Sequence, residues 1–290
     1  MTTASDSSES TAPLIRTVLH PSDFSEGSVV AFAHALKVAL ISKSKLVLIH
    51  VSQSGKMDWA NFPGVRKTLA RWKLLPAGSV PSAVVELGID VAKVIGRGSD
   101  PVKGVLGYIE QHDVDLIVLA THHHGLDWLY HSISEPVARK SAEMTLFVPA
   151  GAPGFISLAD GSVSLRNILI PIAATPRPQP AIAGAARVIH QLKCENGKVT
   201  LLHVGDSGPA VVTPDLAGWT WQRMTKQGSV IDVILETAGE TSADLIVMST
   251  DGRNGFLDAL RGSHSERVLR HAPCPLLAIP ASSHAAAFMS

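Results

Sequence analysis

Short apolar runs rich in β-branched residues alternate along the chain with longer segments of helical periodicity. The runs of the first half lie near residues 16–20, 45–51, 83–87, 115–120 and 145–148, and the helical segments near 25–42, 65–72, 101–112 and 133–142. The runs are continuously apolar, which is typical of strands buried on both faces of a parallel sheet. Strands that alternate with helices predict an α/β fold with helices on both faces of the sheet.

The same pattern occurs twice along the chain. Four pairs of segments match in the same order: 17–21 with 167–171, 45–51 with 198–204, 115–121 with 244–250, and 132–139 with 263–270. One such match could arise by chance, but four in one order indicate a tandem duplication. The first copy is two residues shorter between His122 and His131, just before its last matching segment.

The duplication predicts where the domains begin and end. We expect a disordered tail over residues 1–13, which is rich in Ser and Thr, and a first domain over 14–150. A linker rich in Gly, Ala and Pro follows over 151–164, and a second domain over 165–282. At 290 residues the chain has room for two domains of ordinary size.

Composition and charge narrow the range of partners. Twenty-five basic residues balance twenty-five acidic ones, so nothing electrostatic favours nucleic acid or a membrane surface. The N-terminus lacks the pattern of a signal peptide, and the apolar window 29–41 contains His34 and Lys37, so we expect no membrane span. The two cysteines, Cys194 and Cys274, have no metal-binding spacing and suit a reducing environment. These features together predict a soluble cytoplasmic protein.

The residues that follow the predicted strands resemble those of the universal stress protein family. The segment 21–25 (PSDFS) follows the first strand, and His-Val closes the second strand in both halves, at 50–51 and 203–204. After the fourth strand of the second half, Ser249-x2-Gly252-x9-Gly262-Ser263 departs from the family pattern Gly-x2-Gly-x9-Gly-Ser/Thr only at its first position. The likeness covers nearly the whole chain except the tail, the linker and residues 53–79.

This resemblance implies a fold, a ligand and a role. The fold is two tandem Rossmann-like domains of the adenine nucleotide alpha hydrolase type, each a five-stranded parallel sheet with helices on both faces. The ligand is ATP or a related adenine nucleotide, and the role is that of a non-catalytic cytoplasmic stress-response protein. Parallel α/β sheets bind ligands beyond the carboxyl ends of their strands, where the strand order reverses. The turns after the first, second and fourth strands are therefore the places to search.

The second half is the better candidate for nucleotide binding. Glycine lets the backbone approach a phosphate, and a helix that starts after Gly262 offers free N–H groups to an anion. The residues implied for this site are Pro171, Ile172, Val204, Ser249, Gly252, Arg253, Gly262 and Ser263. A structural alternative stays open, because Ser263 and Glu266 form a capping box that serves helix initiation alone.

The first half retains the opposite part of the pattern. Its implied nucleotide residues are Pro21, Ser22, Asp23 and Val51, and in nucleotide-binding members the aspartate contacts the adenosine part. However, His123 and His131 stand where the second half has Gly252 and Gly262, so side chains obstruct a phosphate there. The second half in turn has alanines in place of the aspartate. The Ser-Asp pair could also serve only as a helix cap or an Asx turn.

A histidine cluster is the most unusual local feature of the sequence. His122, His123, His124 and His131 follow the fourth strand of the first half, and imidazoles are common zinc ligands. Consecutive side chains on an extended chain diverge, so the three adjacent rings do not readily face one ion. We therefore predict no metal, and keep a site formed by these four histidines as the alternative.

Other chemistries lack support in the sequence. It contains no GxSxG elbow, no Walker loop and no HExxH motif, so we expect no enzyme. Besides a nucleotide-binding stress protein, two alternatives remain open. One is a nucleotide-free, pseudo-dimeric scaffold or signalling module, in which the last strands (144–148 and 276–279) pair within one chain or support a homodimer. The other is a slow nucleotide hydrolase or metal hydrolase using the histidine cluster. No feature identifies a protein partner.

Overall fold

The computed structural model describes residues 15–55, 58–121, 133–250 and 271–280. Its first half contains β1 (Thr17–Pro21), α1 (Glu26–Ser42), β2 (Lys45–Ser52), a 3-10 turn (Trp59–Asn61), α2 (Val65–Arg71), α3 (Ser82–Glu86), β3 (Asp90–Arg97), α4 (Pro101–Ile109), β4 (Leu116–Thr121), α5 (Ser134–Ser141) and β5 (Met144–Pro149). Its second half contains β6 (Asn167–Pro171), α6 (Gln179–Gln191), β7 (Gly197–Val204), β8 (Trp219–Lys226), α7 (Val230–Glu240), β9 (Leu245–Thr250) and β10 (Leu276–Pro280).

The described strands form one continuous sheet of ten, in the order β3-β2-β1-β4-β5-β10-β9-β6-β7-β8. All neighbours within each half are parallel, which confirms the predicted α/β fold class. The exception is the central junction, where β5 and β10 pair antiparallel, with Phe147 opposite Leu276 and Thr145 opposite Ala278. The two halves therefore share backbone hydrogen bonds through the strands that the sequence suggested could pair.

Helices cover both faces of this sheet. Helices α1, α2 and α6 contribute to the core on one face, and α4, α5 and α7 contribute to the core on the other. Helix α1 begins where the Ser25 hydroxyl accepts a hydrogen bond from Ser28 N, and it ends at Lys43, which adopts the left-handed conformation. Within the described residues, no helix is both long and apolar enough to cross a bilayer.

The predicted position of the third strand was wrong. Residues 82–86 form the short helix α3, and β3 lies further along, at Asp90–Arg97. The reason is that β3 is an edge strand, with much of its length exposed, so it lacks the continuous apolar run of a central strand. The apolar run at 83–85 instead buries Val84 in α3 and leaves Val85 exposed.

The segment predicted as a linker, residues 151–164, is packed against the first half. Phe155 and Ile156 are buried, and the Phe155 ring meets the His34 ring of α1 edge to face at 4.6 Å between centroids. The indole N–H of Trp72 donates to the Leu158 carbonyl oxygen at 3.3 Å. This connection between β5 and β6 therefore belongs to the core that α1 covers.

Candidate functional site

Each half of the sheet has a point where the strand order reverses, and the predicted site residues flank these points. In the first half, β1 lies between β2 and β4, and it pairs with β4 only at Val18 and Leu19. In the second half, β6 pairs with β9 only at Ile168 and Leu169. Beyond these residues no ladder joins the two strands, so a crevice can open at their carboxyl ends.

In the first half, Ser22 forms hydrogen bonds through its backbone N–H, its carbonyl oxygen and its hydroxyl. Its N–H donates to the Ile49 carbonyl oxygen at 2.8 Å, and its carbonyl oxygen accepts from His50 Nδ1 at 2.7 Å. Its hydroxyl pairs with the Ser28 hydroxyl at 3.0 Å, and the side chain is buried. Ser22 therefore fixes the turn after β1 to β2 and α1.

Asp23 has the opposite character and is exposed. Its Oδ1 atom accepts hydrogen bonds from Ser25 N at 3.0 Å and from Ser25 Oγ at 2.7 Å, which is an Asx turn leading into α1. The structure thus contains the Asx turn that was the structural alternative for the Ser22-Asp23 pair. This turn holds the Asp23 carboxylate at the surface.

His20, which directly precedes Pro21, also contributes to this site. Its ring is buried, and Nδ1 lies 2.9 Å from the Val118 carbonyl oxygen, which can only accept, so Nδ1 carries the proton. Its Nε2 then accepts from the Ser28 hydroxyl at 3.3 Å. Burial lowers the pKa of His20 to about 4, so the ring is neutral at pH 7. The imidazole thereby bridges β1 and β4 where their ladder has ended.

A row of aromatic rings fills the space beyond β1 and β2. Phe24 stacks on His50 with 4.3 Å between ring centroids and meets Phe62 edge to face at 5.3 Å. Phe62 stacks on the exposed Trp59 at 5.6 Å, and the Lys93 ammonium lies 5.5 Å from the Phe62 centroid. The fourth predicted residue, Val51, packs under α4 against Gly104. These rings lie on the side of β1 that faces β2 and β3, and Phe24 directly follows Asp23.

The second half repeats the backbone arrangement without the aromatic rings. Ile172 N donates to the Leu202 carbonyl oxygen at 2.7 Å, and His203 Nδ1 donates to the Ile172 carbonyl oxygen at 3.1 Å. Ala173 and Ala174 stand at the positions of Asp23 and Phe24, and both are exposed.

The other predicted second-half residues surround this turn. Ile172 is buried, whereas Pro171 and Val204 are half-buried. The connection between β7 and β8, residues 205–218, contains no aromatic residue. This connection therefore has no counterpart of Trp59 and Phe62, which lie in the equivalent connection of the first half.

Ser249 is positioned by its contact with a helix. The residue is buried at the end of β9, and its hydroxyl oxygen accepts a hydrogen bond from Ala181 N at 3.0 Å. Helix α6 needs this acceptor because Pro178 precedes it and offers no side-chain cap. In the first half, Ser25 directly precedes α1, and its hydroxyl is the acceptor for the first turn of that helix. Ser249 therefore anchors α6 beside the crevice.

The remaining predicted residues lie outside the described part of the chain. They are Gly252, Arg253, Gly262 and Ser263 of the phosphate pattern, and His122, His123, His124 and His131 of the histidine cluster. In the described ranges, no group of three or more His, Cys, Asp or Glu residues is arranged to hold a metal ion.

A repeated signal at the third strand of each half escaped the sequence reasoning. Gly98-Ser99 follows β3 and Gly228-Ser229 follows β8, and both glycines have positive φ, 145° and 134°. Such φ values favour glycine, so the two dipeptides mark equivalent turns at the same edge of each half. A strand assigned to the residues just before each of these dipeptides would have placed β3 correctly.

The direction of the strands separates the two crevices. Because β5 and β10 are antiparallel, the strands of one half run opposite to those of the other. The carboxyl ends of β1 and β4 therefore point in the opposite direction to those of β6 and β9, so the two crevices lie at opposite ends of the strands. Asp23, which follows β1, therefore lies at the other end of the sheet from Ser249, which lies at the end of β9.

Comparison with known proteins gives a consistent result. The model of the universal stress protein family matches residues 14–149 and 217–280. A universal stress protein of Methanocaldococcus jannaschii is 43% identical over 53 residues, which is 18% of this chain and 31% of that protein. A universal stress protein of Thermus aquaticus is 42% identical over 53 residues, which is 18% of this chain and 39% of that protein. The chain thus spans about a third of the length of these curated relatives.

Solved structures are similar along most of the chain. A universal stress protein from Archaeoglobus fulgidus DSM 4304 is 20% identical and superposes with a TM-score of 0.58, covering 91% of this chain and 96% of its own. A protein of unknown function from Pseudomonas aeruginosa PAO1 is 14% identical with a TM-score of 0.59, covering 95% and 96%. At these identities the likeness establishes the fold.

Proposed function

Because the chain belongs to the universal stress protein family, we propose that it binds an adenine nucleotide, such as ATP, at the carboxyl ends of β6, β7 and β9. The adenosine part lies against Pro171, Ile172 and Val204. The phosphates lie along the segment that follows Ser249. Four residues join the proposal from the sequence pattern alone: Gly252, Arg253, Gly262 and Ser263.

The observation that carries this proposal is the contrast between the two crevices. In the first half, Phe24 directly follows Asp23 and packs against the rings of His50 and Phe62. In the second half, the exposed Ala173 and Ala174 stand at the positions of Asp23 and Phe24, and the connection after β7 contains no aromatic residue. The sequence places the glycines of the phosphate pattern after β9 of the same half, so the turn without aromatic rings and the phosphate pattern occur in one half.

Isothermal titration of the full chain with ATP, with and without magnesium, tests the proposal. We expect one nucleotide to bind per chain and binding to be lost in Gly262→Asp, because a carboxylate would then stand where the phosphate pattern requires glycine. Absence of heat, together with no nucleotide retained through purification, contradicts the proposal. Binding that survives in Gly262→Asp contradicts the assignment of the phosphates.

A gain-of-function variant sharpens this test. Ala173 occupies the position of Asp23 and is exposed, so Ala173→Asp restores the missing aspartate without disturbing the core. A charge-assisted hydrogen bond to the adenosine part should tighten ATP binding about tenfold. Ala174→Asp adds the same charge one residue away and serves as the matched control. Equal affinities in the two variants contradict the placement of the adenosine part.

The scaffold alternative rests on the junction between β5 and β10. Those strands pair within one chain, and Ser249, the first position of the phosphate pattern, anchors α6. A chain whose halves are joined in this way needs no nucleotide for its assembly. The same titration separates the two functions, since a scaffold gives no heat with ATP and keeps its partners in the absence of nucleotide.

We also propose a reducing, cytoplasmic location, with which the free Cys194 and Cys274 agree.

A further inference from the structure

The outer edge of β3 presents backbone groups to which no described residue hydrogen-bonds. β3 pairs with β2 along its whole length, Asp90–Arg97, and ends the ten-stranded sheet. The N–H of Gly98 donates to the Ser52 carbonyl oxygen, and the backbone groups of successive strand residues alternate in direction, so the even-numbered residues of β3 face β2. The odd-numbered residues therefore direct their N–H and C=O groups outward, where a further strand can pair with them. They are Val91, Lys93, Ile95 and Arg97.

Two cations lie on one face of this edge strand. Side chains alternate between the faces of a strand, so those of Lys93 and Arg97 share the face on which Val91 and Ile95 pack against the core. Both cations are exposed, and neither forms an ion pair with a carboxylate of the described residues. They stand four residues apart, about 13 Å along a strand. They can therefore meet two separate carboxylates on one extended chain.

The surroundings of Lys93 give a second reason for an anion to bind. Its ammonium group donates to the Trp59 carbonyl oxygen at 3.4 Å and lies 5.5 Å from the centroid of the Phe62 ring. Burial and the neighbouring Arg66 guanidinium both lower the pKa of Lys93. Two cations thus repel each other beside the edge of β3, and a carboxylate placed there would offset that repulsion.

The segment between β2 and β3 is basic. Its residues 58–80 include four basic side chains, all exposed, and one acidic side chain, Asp58. The four are Arg66, Lys67, Arg71 and Lys73. The whole chain has no net charge, so this excess is local, and it favours the encounter with an acidic partner.

The opposite edge strand of the sheet, β8, lacks this combination. Its two cations, Arg223 and Lys226, are three residues apart and therefore lie on opposite faces of the strand. Lys226 also forms an ion pair with Glu240. The edge of β8 therefore serves as the internal control for the edge of β3.

We propose that β3 binds an acidic, extended segment of another protein, which adds to the sheet as a further strand. The backbone of that segment pairs with the outward groups of β3. Two of its carboxylates, four residues apart, face Lys93 and Arg97, and an apolar residue between them lies beside Ile95. A second copy of this chain fits less well, because its own β3 or β8 would bring further cations to the same edge. The edge of β3 is separate from the proposed nucleotide site.

The acetylated peptide TETVTET, which has this spacing, is the probe for a titration followed by NMR of the full chain. We expect saturable binding and increased protection from hydrogen exchange at the amides of Val91, Lys93, Ile95 and Arg97. Glutamine in place of both glutamates should weaken binding about fivefold. N-methylation of one alternate set of peptide residues should abolish binding, while N-methylation of the other set should not, because alternate residues face the edge. Equal effects of the two N-methylated sets, or of glutamate and glutamine, would overturn the proposal.

Charge-reversed variants provide the matched control. Lys93→Glu should weaken the binding of TETVTET about tenfold and should favour TKTVTKT instead, because the cross-strand pair is reversed. Arg223→Glu makes the same change at the exposed position on β8 and should leave both affinities unaltered. Equal losses in the two variants would overturn the assignment to β3. A chain that dimerises in sedimentation experiments, and whose dimer is lost in Lys93→Glu, would overturn the proposal in favour of a second copy. Titration with ATP should be the same in Lys93→Glu as in the unmodified chain, so this test and that of the nucleotide site fail separately.

Discussion

Two buried histidines should make this fold sensitive to mild acid. Burial lowers the pKa of both His20 and His34 from 6.5 to about 4. A base whose pKa is lower in the folded chain than in the unfolded chain takes up protons preferentially on unfolding. The free energy of unfolding is therefore at its full value above pH 6.5 and decreases as the pH falls from 6.5 towards 4.

The structure sets the size of this loss. A change in pKa from 6.5 to about 4 corresponds to about 3 kcal/mol for each histidine, at 1.36 kcal/mol per unit. His34 has the less favourable surroundings, because within the described residues its Nε2 atom has no partner and its ring lies against Phe155. Asp23 partly offsets the cost of charging His20. The loss for both histidines together is therefore a large share of the free energy of unfolding of a typical domain.

Urea unfolding followed by tryptophan fluorescence, at several values between about pH 7 and about pH 5, measures the effect. Most carboxyl groups remain ionised over this range, so the change reports mainly on histidines. In His34→Leu the acid-dependent loss should decrease by about half, while His190→Leu, at an exposed position of α6, should leave it unchanged. If His34→Leu loses as much stability as the unmodified chain, the reasoning is refuted.

Three further predictions follow from single contacts. Ser249→Ala removes the acceptor for the first turn of α6 and should lower the free energy of unfolding by about 1 kcal/mol in urea titrations, whereas an unchanged midpoint would mean that water replaces the hydroxyl. Gly228→Ala should lower the free energy of unfolding by about 1–3 kcal/mol, because a side chain is strained at a φ of 134°. Gly239→Ala, inside α7, should instead raise the free energy of unfolding slightly. Thermal unfolding of the two variants measures both changes. Cys274 is buried with its thiol pKa raised to about 12, so a thiol reagent at about pH 8 should label it only after denaturation; fast labelling of native protein would contradict that burial.

The sequence contained enough to predict the architecture because the duplication doubled every signal. Central strands such as 115–120 are buried on both sides, and continuous apolar runs report such strands directly. The edge strand β3 was missed because it is half exposed and the polar Lys93 interrupts its apolar run. The packing of residues 151–164 escaped for another reason, since a segment rich in Gly, Ala and Pro looks like a linker even when Phe155 and Ile156 are buried.

The site was predictable only as far as it is local in the chain. The turn at Asp23 follows its strand directly, and its role in an Asx turn could be anticipated from neighbouring residues. The partners of His20 and Ser249 could not, because the contact with Val118 spans 98 residues and the contact with Ala181 spans 68. Hydrogen bonds between distant segments depend on register and helix placement, which no local pattern encodes.

The antiparallel seam between β5 and β10 also changes what a single substitution can do. In a symmetric homodimer each mutation appears at both sites at once, so a loss at one site is a loss at the other. Here the seam lies within one polypeptide, and each crevice is encoded by its own stretch of sequence. One half can keep Asp23 while the other replaces it with Ala173, without either change being imposed on the partner site. Fusion thus turns two identical sites into two that can specialise separately.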